Sequence, residues 1–264
     1  MKRYQYAIAT AIMAILFSTT TNCALATTNE NQDVLYQVST IDALLLSVYD
    51  GISTFGDLKA HGDFGIGTFD ALEGEMVALN GEYYQVKADG IAYPVPDNMT
   101  TPFATVTFFE PDERVFIEQA GNYSQFEDIL DQNLPSENVF YAVRIDGTFP
   151  YMKTRSIPKQ EKPYPLLRDA AENQNVFEFQ DVKGTVVGFW TPTFAKGINV
   201  AGYHLHFISE DRTTGGHILD FQLEDGNVEL DVTPKFFMAL PTEGDFYNVD
   251  LTQDLQADLE KVEK

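Results

Sequence analysis

The stretch Gly202–Ile218, GYHLHFISEDRTTGGHI, is a strand, a polar loop and a returning strand. Side chains alternate between the two faces of a strand, so His204 and His206 share one face while Leu205 and Phe207 take the other. Ser209–Gly216 is the loop, and His217 opens the return. A hairpin closing there sets His217 beside His206 across the ladder. Three neutral imidazoles meeting at one point suit a metal, with roughly 2.0–2.1 Å from each nitrogen to zinc. Three histidine ligands also leave a fourth position open, as catalytic zinc requires. His-x-His alone is a weak signal; the third histidine returned by the next strand gives it weight. The alternative is three polar residues on the wet face of a hairpin.

Outward from the hairpin, short strands dominate. The pattern predicts strands at 68–72, 75–79, 83–88, 103–109, 182–190, 201–208, 218–223 and 228–232. Asp146-Gly147, between apolar runs at 140–145 and 148–157, signals a tight hairpin. Gly62–Gly67, GDFGIG, predicts a turn or a close backbone approach. Helices are few. Thr40 caps one near Ile41–Val48, Ser124 with Glu127 forms a capping box for another, and short helices follow at 166–172 and 253–262. Without regular βαβ alternation the fold class is α+β. Pro158, Pro163 and Pro165 mark a boundary between a sheet domain at 27–165 and a second at 166–264, which holds the histidines and the terminal helix.

Length, composition and charge narrow the function. The 264 residues are 44% hydrophobic and 13% aromatic, enough for a substantial core. Asp+Glu number 40 against 17 Lys+Arg, a formal charge of −23 that repels nucleic acid and anionic lipid and excludes both as partners. One cysteine, Cys23, excludes a disulfide framework. Residues 1–26 have the form of a signal peptide: Lys2 and Arg3, an apolar run from Ala7 to Phe17, then Ala24-Leu25-Ala26 as a cleavage site. The apolar run is too short to span a bilayer. The protein is therefore expected to be exported, to the periplasm or beyond the cell, and free of membrane after cleavage. His61, beside a glycine-rich loop, is expected to be solvated.

A basic cluster, Lys153, Arg155, Lys159 and Lys162, stands out in so acidic a chain. It is either a solvated strand face or an anion pocket, in which a guanidinium would grip a carboxylate in two places.

Four segments in order, Gly65–Phe69 (GIGTF), Leu72–Met76 (LEGEM), Lys153–Tyr164 (KTRSIPKQEKPY) and Gly202–Phe207 (GYHLHF), resemble the α-acetolactate decarboxylase family. The similarity runs from about Val34 to the C-terminus. It implies two related sheet-based halves with the metal in the second. It further implies a zinc-dependent lyase that converts 2-acetolactate, a 2-hydroxy-3-keto acid, to (R)-acetoin and carbon dioxide through an enediolate. Zn²⁺ would be held by His204, His206 and His217. The family's arginine falls on Arg155, its threonine on Thr68 and its N-terminal-half glutamate on Glu75. Its C-terminal glutamate falls on Glu263, with Glu260 as the alternative. A zinc hydrolase using Glu75 as base, or a non-catalytic metal-binding protein, would also suit the histidines. The oligomeric state, a homodimer included, and the native metal stay open, since three imidazoles also accept Fe, Co, Mn or Cu.

Overall fold

The hydroxyl of Thr40 accepts the Ala43 N–H and starts the first helix, which runs only one turn. The computed structural model describes residues 33–263. The expected signal peptide lies outside them, and no described helix is long and apolar enough to cross a membrane. In chain order the elements begin with β1 (Val34–Val38), α1 (Ile41–Leu45), β2 (Ser53–Thr54) and α2 (Phe55–Lys59). Six strands follow: β3 (Phe64–Thr68), β4 (Glu75–Leu79), β5 (Glu82–Val86), β6 (Ala92–Pro94), β7 (Thr100–Thr101) and β8 (Ala104–Thr107). Next come β9 (Glu113–Ala120), α3 (Tyr123–Asp131), β10 (Tyr141–Ser156) and α4 (Leu167–Ala171). Then β11 (Asn175–Thr191), β12 (Gly202–Ser209), β13 (Gly215–Val232), β14 (Lys235–Ala239) and α5 (Gln256–Glu263). This is the sheet-dominated α+β architecture that the sequence predicts.

Two sheets carry the structure. The first has the order β14-β1-β8-β3-β4-β5-β6, and β2 pairs separately with β7. The second has the order β10-β11-β12-β13-β9, and β10 also pairs with β13. That extra pairing closes four strands into a ring, with β12 and β13 meeting over three residues. The chain passes from the first sheet to the second between Thr107 and Glu113, and β14 alone returns. The proline segment at 158–165 therefore joins β10 to β11, two strands of one sheet.

Alternation along β12 sets the arrangement of the layers. Tyr203, Leu205 and Phe207 point into an aromatic core with Phe126, Phe149 and Phe221. On the opposite face, Ile208 joins Phe64, Ile66 and Val77 of the first sheet and Val187 and Phe189 of β11. The histidine face of β12 is thus turned inward, toward the first sheet. A third apolar cluster joins α1, α4 and α5 through Ile41, Leu44, Leu167, Ala170, Leu255, Leu259 and Val262.

Several local expectations are corrected. Asp146-Gly147 makes no turn: β10 continues through it, with Asp146 opposite Thr185 and Gly147 opposite Gly184, and marks it only by a shift of register against β13. Tertiary pairing with β11 and β13 overrides the local turn signal. The predicted strands at 218–223 and 228–232 are likewise one strand, β13. The cap of α3 is Asn122, which accepts the Gln125 N–H, and not Ser124. Residues 70–72 form a 3-10 turn rather than a strand. Gly62–Gly67 is mostly strand, and its glycines serve close approach: a Cβ on Gly65 would lie 2.3 Å from the Thr105 carbonyl oxygen. His61 is half-buried and stacks on Tyr36, with centroids 3.8 Å apart.

Candidate active site

Strand register brings the site together. On the second sheet His206 lies opposite His217, and His217 lies opposite Arg155, so three strands place these side chains on one rung. His204 is two residues along β12 on the same face, next to Phe189 of β11. On the first sheet Thr68 pairs with Glu75. The Thr68 hydroxyl donates to the Gly74 carbonyl at 2.8 Å, which fastens the β3–β4 connection. The two sheets meet where His206 Nδ1 contacts the Met76 carbonyl oxygen at 2.8 Å. That contact makes Nδ1 the protonated nitrogen and leaves Nε2 as a lone-pair donor.

The three imidazole centroids lie 5.1–5.3 Å apart. Their nitrogens fall within 4.8 Å of one another, close enough to hold a metal ion, and all three residues are buried. Among the described residues, Nε2 of His206 and of His217 has no hydrogen-bond partner, a costly state for a buried polar atom unless a ligand completes it. The residues present therefore fit a metal. Glu263 Oε2 is 3.6 Å from His204 Nε2 and 3.7 Å from His217 Nε2, while Glu75 Oε2 is 3.8 Å from His206 Nε2. Two carboxylates thus face the imidazole cluster from opposite elements, β4 and α5.

Arg155 balances them. Its Nη1 donates to Glu75 Oε1 at 3.1 Å, and its Nη2 lies 3.9 Å from Glu263 Oε1. Burial drives the protonation states. It pushes the Glu75 carboxyl up to about 7, with Arg155 opposing and Glu263 reinforcing the shift. Glu263 rises to about 7 for the same reason, again against Arg155. Burial and then the Arg155 charge lower His204 to about 3. His206 and His217 are also held well below the usual imidazole range by burial first. All three imidazoles are therefore neutral at physiological pH, the state in which they bind metals.

The cavity over this cluster is small, with about 370 Å³ of empty volume including its mouth. Its polar wall contains Thr68, Glu75, Arg155, His204, His206 and Glu263. Its apolar wall comes from α1, α4 and the loops, chiefly Ile41, Leu44, Leu72, Phe103 and Leu167. The structure thus brings Thr68, Glu75, Arg155, the three histidines and Glu263 together around one cavity and leaves Glu260 outside it. Glu263 reaches the cluster, whereas Glu260 is exposed and accepts from Gln256 of its own helix. The basic cluster divides. Arg155 turns inward, while Lys162 pairs with Asp50 at 2.6 Å and Lys159 approaches Glu73 at the surface. Sequence patterning gave no sign of the apolar wall or the Met76 carbonyl, because nothing local marks a residue that a distant strand turns toward a cavity.

A sequence model of the α-acetolactate decarboxylase family matches residues 35–253. The chain belongs to the α-acetolactate decarboxylase family. It is 64% identical to the α-acetolactate decarboxylase of Methanosarcina mazei over 236 residues, 89% of this chain and 82% of that one. It is 45% identical to the Bacillus licheniformis α-acetolactate decarboxylase, covering 89% and 93% of the two chains. The crystal structure of the Bacillus subtilis strain 168 enzyme superposes with a TM-score of 0.85 at 44% identity, over 87% of this chain and 99% of that one. The histidine cluster, Arg155 and both carboxylates thus lie in the fold of a carboxy-lyase acting on a small molecule.

Proposed function

We propose that the site binds zinc at His204, His206 and His217 and converts 2-acetolactate to (R)-acetoin and carbon dioxide. The observation that carries this reading is the inward-facing cluster of three neutral imidazoles, with unpartnered nitrogens, set between two carboxylates and an arginine. A bound zinc would supply Lewis-acid stabilisation for the negative charge that develops on substrate oxygens as carbon dioxide departs.

The chain's own residues supply the rest. Arg155 spends Nη1 on Glu75, but its Nε–H is buried and without a partner among the described residues. A buried donor left open is costly, and a substrate carboxylate would satisfy it. When the C–C bond breaks, the electron pair is delocalised into the neighbouring ketone as an enediolate. Carbon must then receive one proton, on one face only, to give a single enantiomer. Glu75 and Glu263 both face the imidazole cluster, and burial favours the protonated form of each, so either is placed to deliver that proton. Thr68 fixes the loop that leads into Glu75. The apolar wall excludes water from the reacting carbon and fits the short alkyl groups of the substrate.

The test is a colorimetric acetoin assay on 2-acetolactate, with elemental analysis and a chelator arm. We expect one zinc per chain, loss of activity with the chelator, recovery with added zinc, and a single enantiomer on chiral chromatography. Less than half an ion per chain in active enzyme, or full activity in His206→Ala, would overturn the metal assignment. Ester hydrolysis without acetoin would overturn the reaction.

Export belongs to the same proposal. The basic start, the short apolar run and Ala24-Leu25-Ala26 support cleavage after Ala26. Sequencing the secreted protein should give Thr27 first, and labelled palmitate should leave Cys23 unmarked.

A further inference from the structure

Glu263 stands in the last turn of α5, so its place at the site depends on how that helix is held. One hold is apolar: Leu255, Leu259 and Val262 pack with Ile41, Leu44, Leu167 and Ala170. Such packing is non-directional. A directional hold lies on the outer side. Arg168 of α4 donates from Nη1 to Asp258 Oδ2 at 2.7 Å. Asp258 is five residues before Glu263, about 7.5 Å along an α-helix. The neighbour of Arg168, Leu167, lines the cavity itself. The pair thus ties the strut behind the cavity wall to the helix that delivers a site carboxylate.

We propose that Arg168 is a positioning residue, and that its ion pair with Asp258 sets the placement of α5 and so holds Glu263 against His204, His217 and Arg155. The inference rests on the role given to Glu263 above. Arg168 is half-exposed, so its pair adds little to global stability. Placement is another matter, since displacement of a reacting group by about 1 Å can cost up to about a hundredfold in rate.

The experiment is a kinetic cycle on the full-length zinc-loaded protein with Arg168→Ala, Arg168→Lys, Glu263→Gln and the double variant Arg168→Ala/Glu263→Gln. Thermal melting and zinc content are read on each. We expect Arg168→Ala to lower kcat about three- to tenfold with KM little changed, and with melting temperature and zinc content as in wild type. Arg168→Lys keeps the cation and should recover most of the loss. In the Glu263→Gln background, Arg168→Ala should bring no further loss, because the group it positions is already disabled. If Glu263→Gln is impaired but Arg168→Ala keeps wild-type kcat, or the two losses multiply, the positioning role is refuted alone. If Glu263→Gln retains full kcat, the role of Glu263 falls, and the positioning role falls with it. Should Arg168→Ala fail to fold, Asp258→Asn removes the same pair from the other side and is read against the same outcomes.

Discussion

Arg155 sits between two carboxylates and opposite a histidine, and its planar fork is what lets one side chain serve several partners. Arg155→Lys keeps the charge but loses that geometry, and kcat/KM on 2-acetolactate should fall by about 1.5–3 kcal/mol, the worth of one charge-assisted bond. Arg155→Ala should cost more, while elemental analysis shows the same metal content, because the arginine is not a ligand. Near wild-type kcat/KM in Arg155→Ala would remove it from substrate binding. A second buried charge acts on stability instead. Asp231 is buried near the end of β13, and burial, together with Asp112, Asp33 and Glu110, pushes its carboxyl up to about 7 against the bond from the Glu110 N–H. The folded protein therefore holds this proton more tightly than the unfolded chain, so stability falls as pH rises from about 4 to about 7. Asp231→Asn keeps an acceptor for the Glu110 N–H and removes the charge. It should flatten that slope and stabilise the protein at pH 8 by about 1 kcal/mol, a gain limited by solvent screening. Urea unfolding at pH 5 and pH 8 measures this, and an unchanged slope in the variant would reject it.

At the scale of elements, β3 shows how close packing reaches the site. Gly65 lies between Ala78 of β4 and Val106 of β8, with the Thr105 carbonyl oxygen where a Cβ would go. Gly65→Ala must push β8 aside and should destabilise by about 1–3 kcal/mol in chemical denaturation. A variant as stable as wild type would mean that the strands separate freely there. Single elements were legible where one local rule governs them. The Thr40 cap, the strand at Glu75–Leu79, and the His204/His206 face with His217 across from it all follow from capping or alternation. They were illegible where a distant partner decides. β10 ignores its Asp-Gly signal because β11 and β13 hold it on both sides. β1, β9 and β14 escaped the periodicity altogether; β1 and β14 pair in parallel, far apart in sequence. The direction of the histidine face was open for the same reason. Alternation says that two histidines point together, but only the first sheet, through Met76, makes that face an interior.

For the whole molecule the electrostatic question is how an acidic protein admits an anion. The formal charge of −23 becomes −25 if Lys2 and Arg3 leave with a signal peptide, since residues 1–26 contain no Asp or Glu. The lysines of the basic cluster do little to offset this, because Lys159 and Lys162 have carboxylates beside them at the surface. The long-range field should therefore slow the approach of 2-acetolactate, and under the role proposed for Arg155 attraction begins only at short range, at that residue. Salt separates the two effects. At 0.01 M ionic strength the Debye length is about 30 Å, comparable with the protein, and at 0.15 M it is about 8 Å. Added salt should therefore screen the surface charge while sparing contacts inside the cavity. Initial rates well below KM should rise with salt, by about two- to threefold over that range, while kcat stays level. The same titration with Arg155→Ala should show the same relative rise at lower rates, because the repulsion arises elsewhere. A kcat/KM that falls with salt in the wild type would show that the cavity mouth carries a positive field, and that capture begins before the substrate reaches Arg155.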